Sequence, residues 1–493
     1  MSRRQSGRLF ESIIAAIAVS YLLLLVPTSS IPDPEAGARD PFKWNRDDYF
    51  SSLESSFLKA RSADPKTLLS SIDNRFVEFE GSIYSLRTRA LEPSDLFLDS
   101  LETELFELAP LIAAAPEKIS KFMGLHNAMR MAIKDQSRRW DMNAKEVRHR
   151  VYRLLYGGRA AVEETMLQSP QGTYPDLVLS NDIPSGTPAA IIRGAEVRSG
   201  DILVSRGGAP TSALIARGND YPGNFSHVAL VYVDESTGET SIIESHIEIG
   251  VTVSTVERYL ADTKLRIMIL RMRADLPVIL CDPMLPHRAA EAIYRRAADE
   301  HIPYDFEMDN DDPSKLFCSE VASTAYRMFG VTLWAGVSNI SSAGVRAWLA
   351  AFGVRNFETR EPADLEYDPQ LAVVAEWRDP ETLYKDHLDN VVIDAMLESA
   401  EKGERLKYDW YKLPIGRIAK LYSLVLNKFE KAGPVPEGMS VESALTNDRF
   451  SKTHARIKKR TITLADKFEK DKGYKPPYWE LLRLARVARG EVM

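Results

Sequence analysis

The chain has 493 residues, 44% hydrophobic and 27% charged, with a net charge of -7. This ordinary globular composition excludes a disordered chain and a polytopic membrane protein, and the length calls for about two or three cores. The charge balance favours no particular partner, and no nucleic-acid partner is expected.

The first thirty residues, "MSRRQSGRLFESIIAAIAVSYLLLLVPTSS", set Arg3, Arg4 and Arg8 ahead of an apolar run from Ile13 to Val26. Residues 1–30 therefore read as a secretory signal or an N-terminal membrane anchor. The run is short for a spanning helix, which favours the signal, yet no clean small-x-small cleavage site follows and Phe10 extends the apolar stretch. Export is the expectation, with the protein periplasmic or membrane-anchored and facing the cell envelope. The Arg3-Arg4 pair lacks the apolar residues a twin-arginine signal carries just after it.

Residues 31–168 open with a polar tether, "PDPEAGARD", and then become helical. Leu69, Ile72, Phe76, Phe79, Ile83 and Leu86 advance by steps of three and four, the stripe of an amphipathic helix, for too short a distance to make a coiled coil. Pro110 and Pro116 are expected to break helices, and "LYGG" ending at Gly158 to mark a turn.

Across residues 170–378 the texture changes to short β-branched runs. "AAIIRG", "GDILVSR", "SHVALVYV", "TSIIESHIEIGV", "LRIMILRM" and "LAVVAEWR" read as strands, with "STVERYL", "HRAAEAIYRRAADE" and "CSEVASTAYRMF" as helices among them. Strands in direct succession predict an α+β domain with an antiparallel sheet. Residues 379–493 return to helix, and from Phe450 onward about a dozen Lys and Arg face about five acids. That basic end reads as a solvated helix pair or as a surface drawn to anionic headgroups.

Cys281 and Cys318, the only cysteines, allow at most one disulfide. No CxxC or HExxH spacing is present, so no metal and no cofactor is expected. Cys281 reads as a small packed residue. Cys318 stands at the start of a helix whose apolar face is read as Phe317, Val321, Thr324 and Met328. A helix N-terminus and a nearby imidazole are the two usual ways to stabilise a thiolate, while a lone helical cysteine is also commonly just buried. His227 opens a strand and can present its ring at a sheet edge. On the returning strand, period two puts Glu244, His246 and Glu248 on one face, where a carboxylate or a second imidazole can orient His227. "SRGGAPTS", Ser205 to Ser212, lacks phosphate-loop spacing and reads as a loop, either lining the cleft or simply connecting. Tyr304 and Asp305 shape the pocket or cap a turn, and turn capping is the reading for Asp305.

"GDILVSRGG", "SHVALVYV", "IIESHIEIGV", "PYDFEMD" and "FCSEVASTAYRMFG" together resemble the successive motifs of the permuted papain-like amidases, the YiiX/YaeF group. That group is related to NlpC-type cysteine peptidases and to lecithin:retinol acyltransferase-like enzymes. The resemblance covers roughly residues 183–377, and the order histidine, polar residue, cysteine matches it. It implies a permuted papain-like sheet with a nucleophile helix, and a cysteine hydrolase working through a thioester. Carried over by motif, Cys318 is the nucleophile, His227 the general base and Glu244 the orienting residue. Ser245 replaces a frequent alanine, and His246 is the alternative third member. The substrates implied are a peptide, a cell-wall amide or a lipid-linked acyl group. A lipid-directed acyltransferase or acyl hydrolase and a catalytically inert envelope scaffold are the alternatives, with the N-terminus and the basic tail as possible membrane contacts.

Overall fold

The computed structural model describes residues 19, 21–27, 34–180, 183–429 and 431–493. Most of the expected signal or anchor, residues 1–30, lies outside the described residues, and among the described residues no helix is long and apolar enough to cross a membrane.

The amino-terminal flank consists of α1 (Asp47–Arg61), α2 (Pro65–Thr88), α3 (Leu96–Ala114), α4 (Ile119–Ser137), α5 (Lys145–Tyr152) and α6 (Gly158–Gln168). Asp64 starts α2 by accepting the Thr67 N–H, with Pro65 in the first turn where its missing N–H costs nothing. The stripe Ile72, Phe76, Phe79, Ile83 and Leu86 is buried, led by Leu68 in place of Leu69. Two expected breaks are absent. Pro110 lies inside α3, where Leu105, Leu108 and Ile112 are buried on either side and hold the helix through it. "LYGG" is not a turn, because α5 continues into α6 through one π turn, Arg153–Gly157. Its glycines serve close packing: a Cβ on Gly157 would lie 2.8 Å from the Trp44 ring, and one on Gly158 3.0 Å from Leu105.

The central sheet runs β1 (Leu177–Leu179), β11 (Leu371–Trp377), β8 (Lys264–Met272), β4 (Ile202–Gly207), β5 (His227–Val233), β6 (Thr240–His246), β7 (Gly250–Thr255). All its neighbouring strands are antiparallel, so the α+β expectation holds. β2 (Ala189–Ile192) with β3 (Ala195–Arg198), and β9 (Ser338–Asn339) with β10 (Glu358–Thr359), form two small ladders. Between the strands lie α7 (Pro210–Arg217), α8 (Val256–Ala261), α9 (Pro277–Cys281), α10 (Leu285–Asp299), α11 (Cys318–Arg327), α12 (Ala343–Phe352) and α13 (Asp364–Tyr367).

Strand alternation sorts the sheet into two cores. Val228, Leu230 and Ile243 pack with Ala289 and Ile293 of α10 and Val321, Ala322 and Ala325 of α11. Leu203, Ala229, Val231, Ile242 and Ile269 form the opposite core with Tyr259 of α8. The buried face of α11 is thus rotated from the expected one: Val321 is on it, but Thr324 is half-buried and Met328 is 49% exposed. Cys281, expected to be packed, is exposed at the end of α9.

The carboxyl-terminal flank is α14 (Pro380–Glu401), α15 (Leu413–Asn427), α16 (Val441–Lys472) and α17 (Tyr478–Val492). Val391, Val392 and Met396 of α14 pack with Ile457, Leu481, Leu484 and Ala485. Buried ion pairs stitch both flanks to the sheet. Arg159 of α6 clamps Glu366 at 2.6 Å and reaches Glu163 at 3.0 Å. Arg266 of β8 bridges Glu163 and Asp386 of α14, each at 2.6 Å, and Arg130 of α4 holds Glu376 of β11 at 2.6 Å.

Candidate active site

The segment leading into α11 is held before the helix starts. Ser245 donates its hydroxyl to the Leu316 carbonyl at 2.7 Å, and Glu320 accepts the Phe317 N–H at 3.1 Å. The serine that departs from the family's alanine therefore ties β6 to the run-in of the thiol. Cys318 then occupies the first helical position, where backbone N–H groups lack intrahelical partners. Its side chain is buried, with Sγ donating to the Ser226 carbonyl at 3.8 Å and the Val228 N–H near enough to favour the thiolate. Those two groups are the chain neighbours of His227, so the thiol lies against the backbone at the open end of β5.

His227 Nε2 lies 2.7 Å from Glu244 Oε2. The β5–β6 register pairs Ala229 with Glu244, which puts the carboxylate on the His227 face of the neighbouring strand. The other Glu244 oxygen lies 3.1 Å from His246 Nε2 and 3.4 Å from the Ser254 hydroxyl. Glu244 thus joins both imidazoles, whose ring centres are 5.8 Å apart. Glu248 does not share that face, because β6 ends at His246 and the chain turns into β7 at Gly250. Only glycine fits there: its φ is +76°, and a Cβ would lie 2.1 Å from the Ile302 carbonyl oxygen.

Burial sets the electrostatics. It pushes the Cys318 thiol up to about 12, so the resting sulfur carries its proton. It also lowers His227, more than hydrogen bonding to Glu244 raises it. Burial pushes Glu244 up, but hydrogen bonds from His227 and His246 outweigh it and hold the carboxylate below its usual range. Burial lowers His246 too, and here the Glu244 hydrogen bond wins, leaving it raised. The result is a neutral thiol and a neutral His227 beside a charged Glu244.

An apolar cavity of about 110 Å³ lies in the same region, with neither Cys318 nor His227 in its lining. Leu214, Ile215, Ile247, Phe306, Phe352 and Met439 line it with Tyr304 and Glu361. Tyr304 and Glu361 are both within electrostatic reach of Cys318. Burial pushes Glu361 up to about 8, which keeps that carboxyl mostly protonated at neutral pH. "SRGGAPTS" is the end of β4 and the first turn of α7, and Thr211 reaches this cavity. Asp305 caps a turn, accepting the Glu307 and Asp309 N–H groups at 2.9 and 2.5 Å. Glu361 was not legible in the sequence, where it stands in an acidic turn-like run with no motif. A larger cavity of about 300 Å³, between α1, α3, α6 and α17, contains none of these residues. Among the described residues no group of His, Cys, Asp and Glu is arranged to hold a metal ion.

Residues 196–375 match the permuted papain-like amidase family, YaeF/YiiX, C92. This is the family whose motifs the sequence resembles, and the match contains His227, Glu244, His246 and Cys318 while stopping short of both helical flanks. The matched segment is similar to a cysteine-hydrolase-type family, and the match leaves the substrate open. No curated protein and no solved structure matches the chain.

Proposed function

We propose that the chain is a cysteine-dependent hydrolase of an amide or related acyl bond, with Cys318 as nucleophile, His227 as general base and Glu244 as orienting residue. The observation that carries this reading is the thiol seated against the Ser226 carbonyl, next in the chain to His227, while Glu244 engages Nε2 of the His227 ring. The ionised carboxylate accepts the Nε2–H, which fixes the tautomer and leaves the Nδ1 lone pair as the base.

Because the thiol rests protonated, activation belongs to the encounter with substrate. As Sγ attacks the carbonyl carbon, the thiol proton moves to Nδ1 and the oxyanion meets the Cys318 N–H at the helix N-terminus, a donor worth about 3 kcal/mol in such sites. Collapse breaks the bond to the leaving group, which takes the proton from Nδ1, and a thioester remains. Water then adds with His227 accepting its proton. The second collapse breaks the S–C bond, releases the carboxylic acid and returns the proton to sulfur.

The apolar cavity whose lining residues Tyr304 and Glu361 are within electrostatic reach of Cys318 supports an apolar acyl portion, which favours a lipid-linked acyl bond over a polar cell-wall peptide. The apolar N-terminal run supports action at the cell envelope. The test compares a fatty acyl p-nitroanilide with a hydrophilic peptide amide, using the native chain and Cys318→Ala. Faster release from the fatty acyl anilide, lost in Cys318→Ala, is expected. Full hydrolysis by Cys318→Ala would sink the scheme, and preference for the peptide would remove the acyl assignment.

A further inference from the structure

Helix α15, Leu413–Asn427, carries its amphipathic pattern inside out. Ile415, Ile418, Tyr422, Val425 and Phe429 follow one another by steps of three and four and are 54–70% exposed. Leu421 beside them is 65% exposed, and Trp410 and Tyr411 extend the face at the amino end. The protein-facing side is small or polar. Gly416 is pressed so close to Val441 that a Cβ would lie 2.5 Å from its side chain, and Ser423 is buried, accepting the Val435 N–H at 3.0 Å. An apolar face of this size is not left in water without a cover.

The structure indicates what covers it. The apolar segment containing Tyr21, Leu22, Leu23 and Val26, itself exposed, lies alongside, and the Arg417 guanidinium donates to the Leu23 and Val26 carbonyls. The two apolar stretches are therefore continuous. Lys407, Lys428 and Lys431 are exposed near the two ends of the helix, and aromatic Trp410, Tyr411 and Tyr422 accompany the aliphatic stripe. Aliphatic centre, aromatic shoulder and lysine ends are the features of a helix lying in a lipid headgroup boundary. By contrast, the basic end named from sequence spends much of its charge internally, as in Lys458–Asp389 and Arg486–Glu398.

We infer that α15 and the apolar residues 21–26 form one interfacial surface that docks on an anionic phospholipid bilayer without crossing it. The surface leads to the apolar cavity. Lys420 holds the Pro436 carbonyl at 2.8 Å, Gly438 packs against Phe306, and Met439 lines the acyl cavity. Docking stands independently of the hydrolase reading, whereas delivery of a bilayer-resident acyl group to that cavity rests on it.

The test uses the full chain with Cys281→Ser and Cys318→Ala, and a single Ile418→Cys bearing an environment-sensitive fluorophore. It is mixed with vesicles of phosphatidylcholine, alone or with an equal amount of phosphatidylglycerol. A blue shift on the mixed vesicles, weaker on phosphatidylcholine alone, is expected. In the unlabelled chain, Ile415→Ser, Ile418→Ser, Leu421→Ser and Val425→Ser together should lower co-sedimentation about tenfold or more, with an unchanged melting temperature. Co-sedimentation with no shift at position 418 would assign binding to the N-terminal segment alone and overturn the proposal. A shift that depends on protein concentration and needs no vesicles would replace the bilayer with a second copy of the chain. Because the tested chain lacks the thiol, loss of hydrolase activity cannot account for either result.

Discussion

Two regions bury ionisable groups in opposite ways. In the seam that joins α4, α6 and α14 to the sheet, buried arginines face buried carboxylates: burial pushes Glu163 up, yet Arg266 and Arg159 hold its carboxyl well below the usual range. At the end of β5 and in the apolar cavity, burial goes unanswered for several groups, so Cys318 and Glu361 rise and His227 falls until all three are mostly neutral near pH 7. The seam uses buried charge to fix the placement of helices. The site uses burial to keep protons where a reaction can move them.

The contrast breaks first at Cys318. Cys318→Ala should lower turnover about 10³-fold or more while leaving the melting temperature nearly unchanged, because the small buried side chain is replaced by one nearly as large. Initial rates on an acyl anilide and a thermal melt check both halves. Arg159→Ala should do the reverse. It strands Glu366 in the interior without the guanidinium that clamps it and leaves Glu163 to Arg266, at a cost of about 3–5 kcal/mol by denaturant titration, and the folded fraction keeps its rate. An Arg159→Ala variant as stable as the native chain would show that the seam does not hold the flanks.

The site was more legible in the sequence than its surroundings. A strand-opening histidine, period two on the returning strand and a cysteine at a helix start are local patterns, and the structure brings His227, Glu244 and Cys318 to one end of the sheet. Glu248 fell away because Gly250 turns the chain, and the face of α11 was misread because Met328 lies past the last helical residue, where apolar spacing no longer reports burial. Glu361 and Met439 reach the cavity from distant segments, and no local pattern foretells such a meeting. The outward stripe on α15 follows helical spacing in the sequence, but which side of a helix meets the protein is decided by tertiary packing.

Glu244 sharpens the comparison, since it is the site's one carboxylate held below its usual range. The sign follows from its contacts: Glu244 raises the pKa of His227 against burial, and His227 must be unprotonated to act. Activity should therefore fall as pH drops through a value below 6.5, the ordinary histidine value. Glu244→Gln removes the raising influence, so the acid limb should move to lower pH while the maximal rate falls about 10–100-fold as the base weakens and its tautomer loosens. A rate loss with an unmoved acid limb would leave Glu244 a structural role only.

The smallest effect per step probes the thiol itself. A cysteine that titrates near 12 has a thiolate fraction that grows about tenfold for each pH unit below that point. In a Cys281→Ser background, needed because Cys281 is exposed and would label first, iodoacetamide should modify Cys318 slowly at neutral pH and about tenfold faster for each unit added. A plateau reached already near neutral pH would mean a preformed thiolate and imidazolium pair. In that case His227 is protonated at rest, the first proton transfer precedes substrate, and burial at the end of β5 is answered by charge, as it is in the seam.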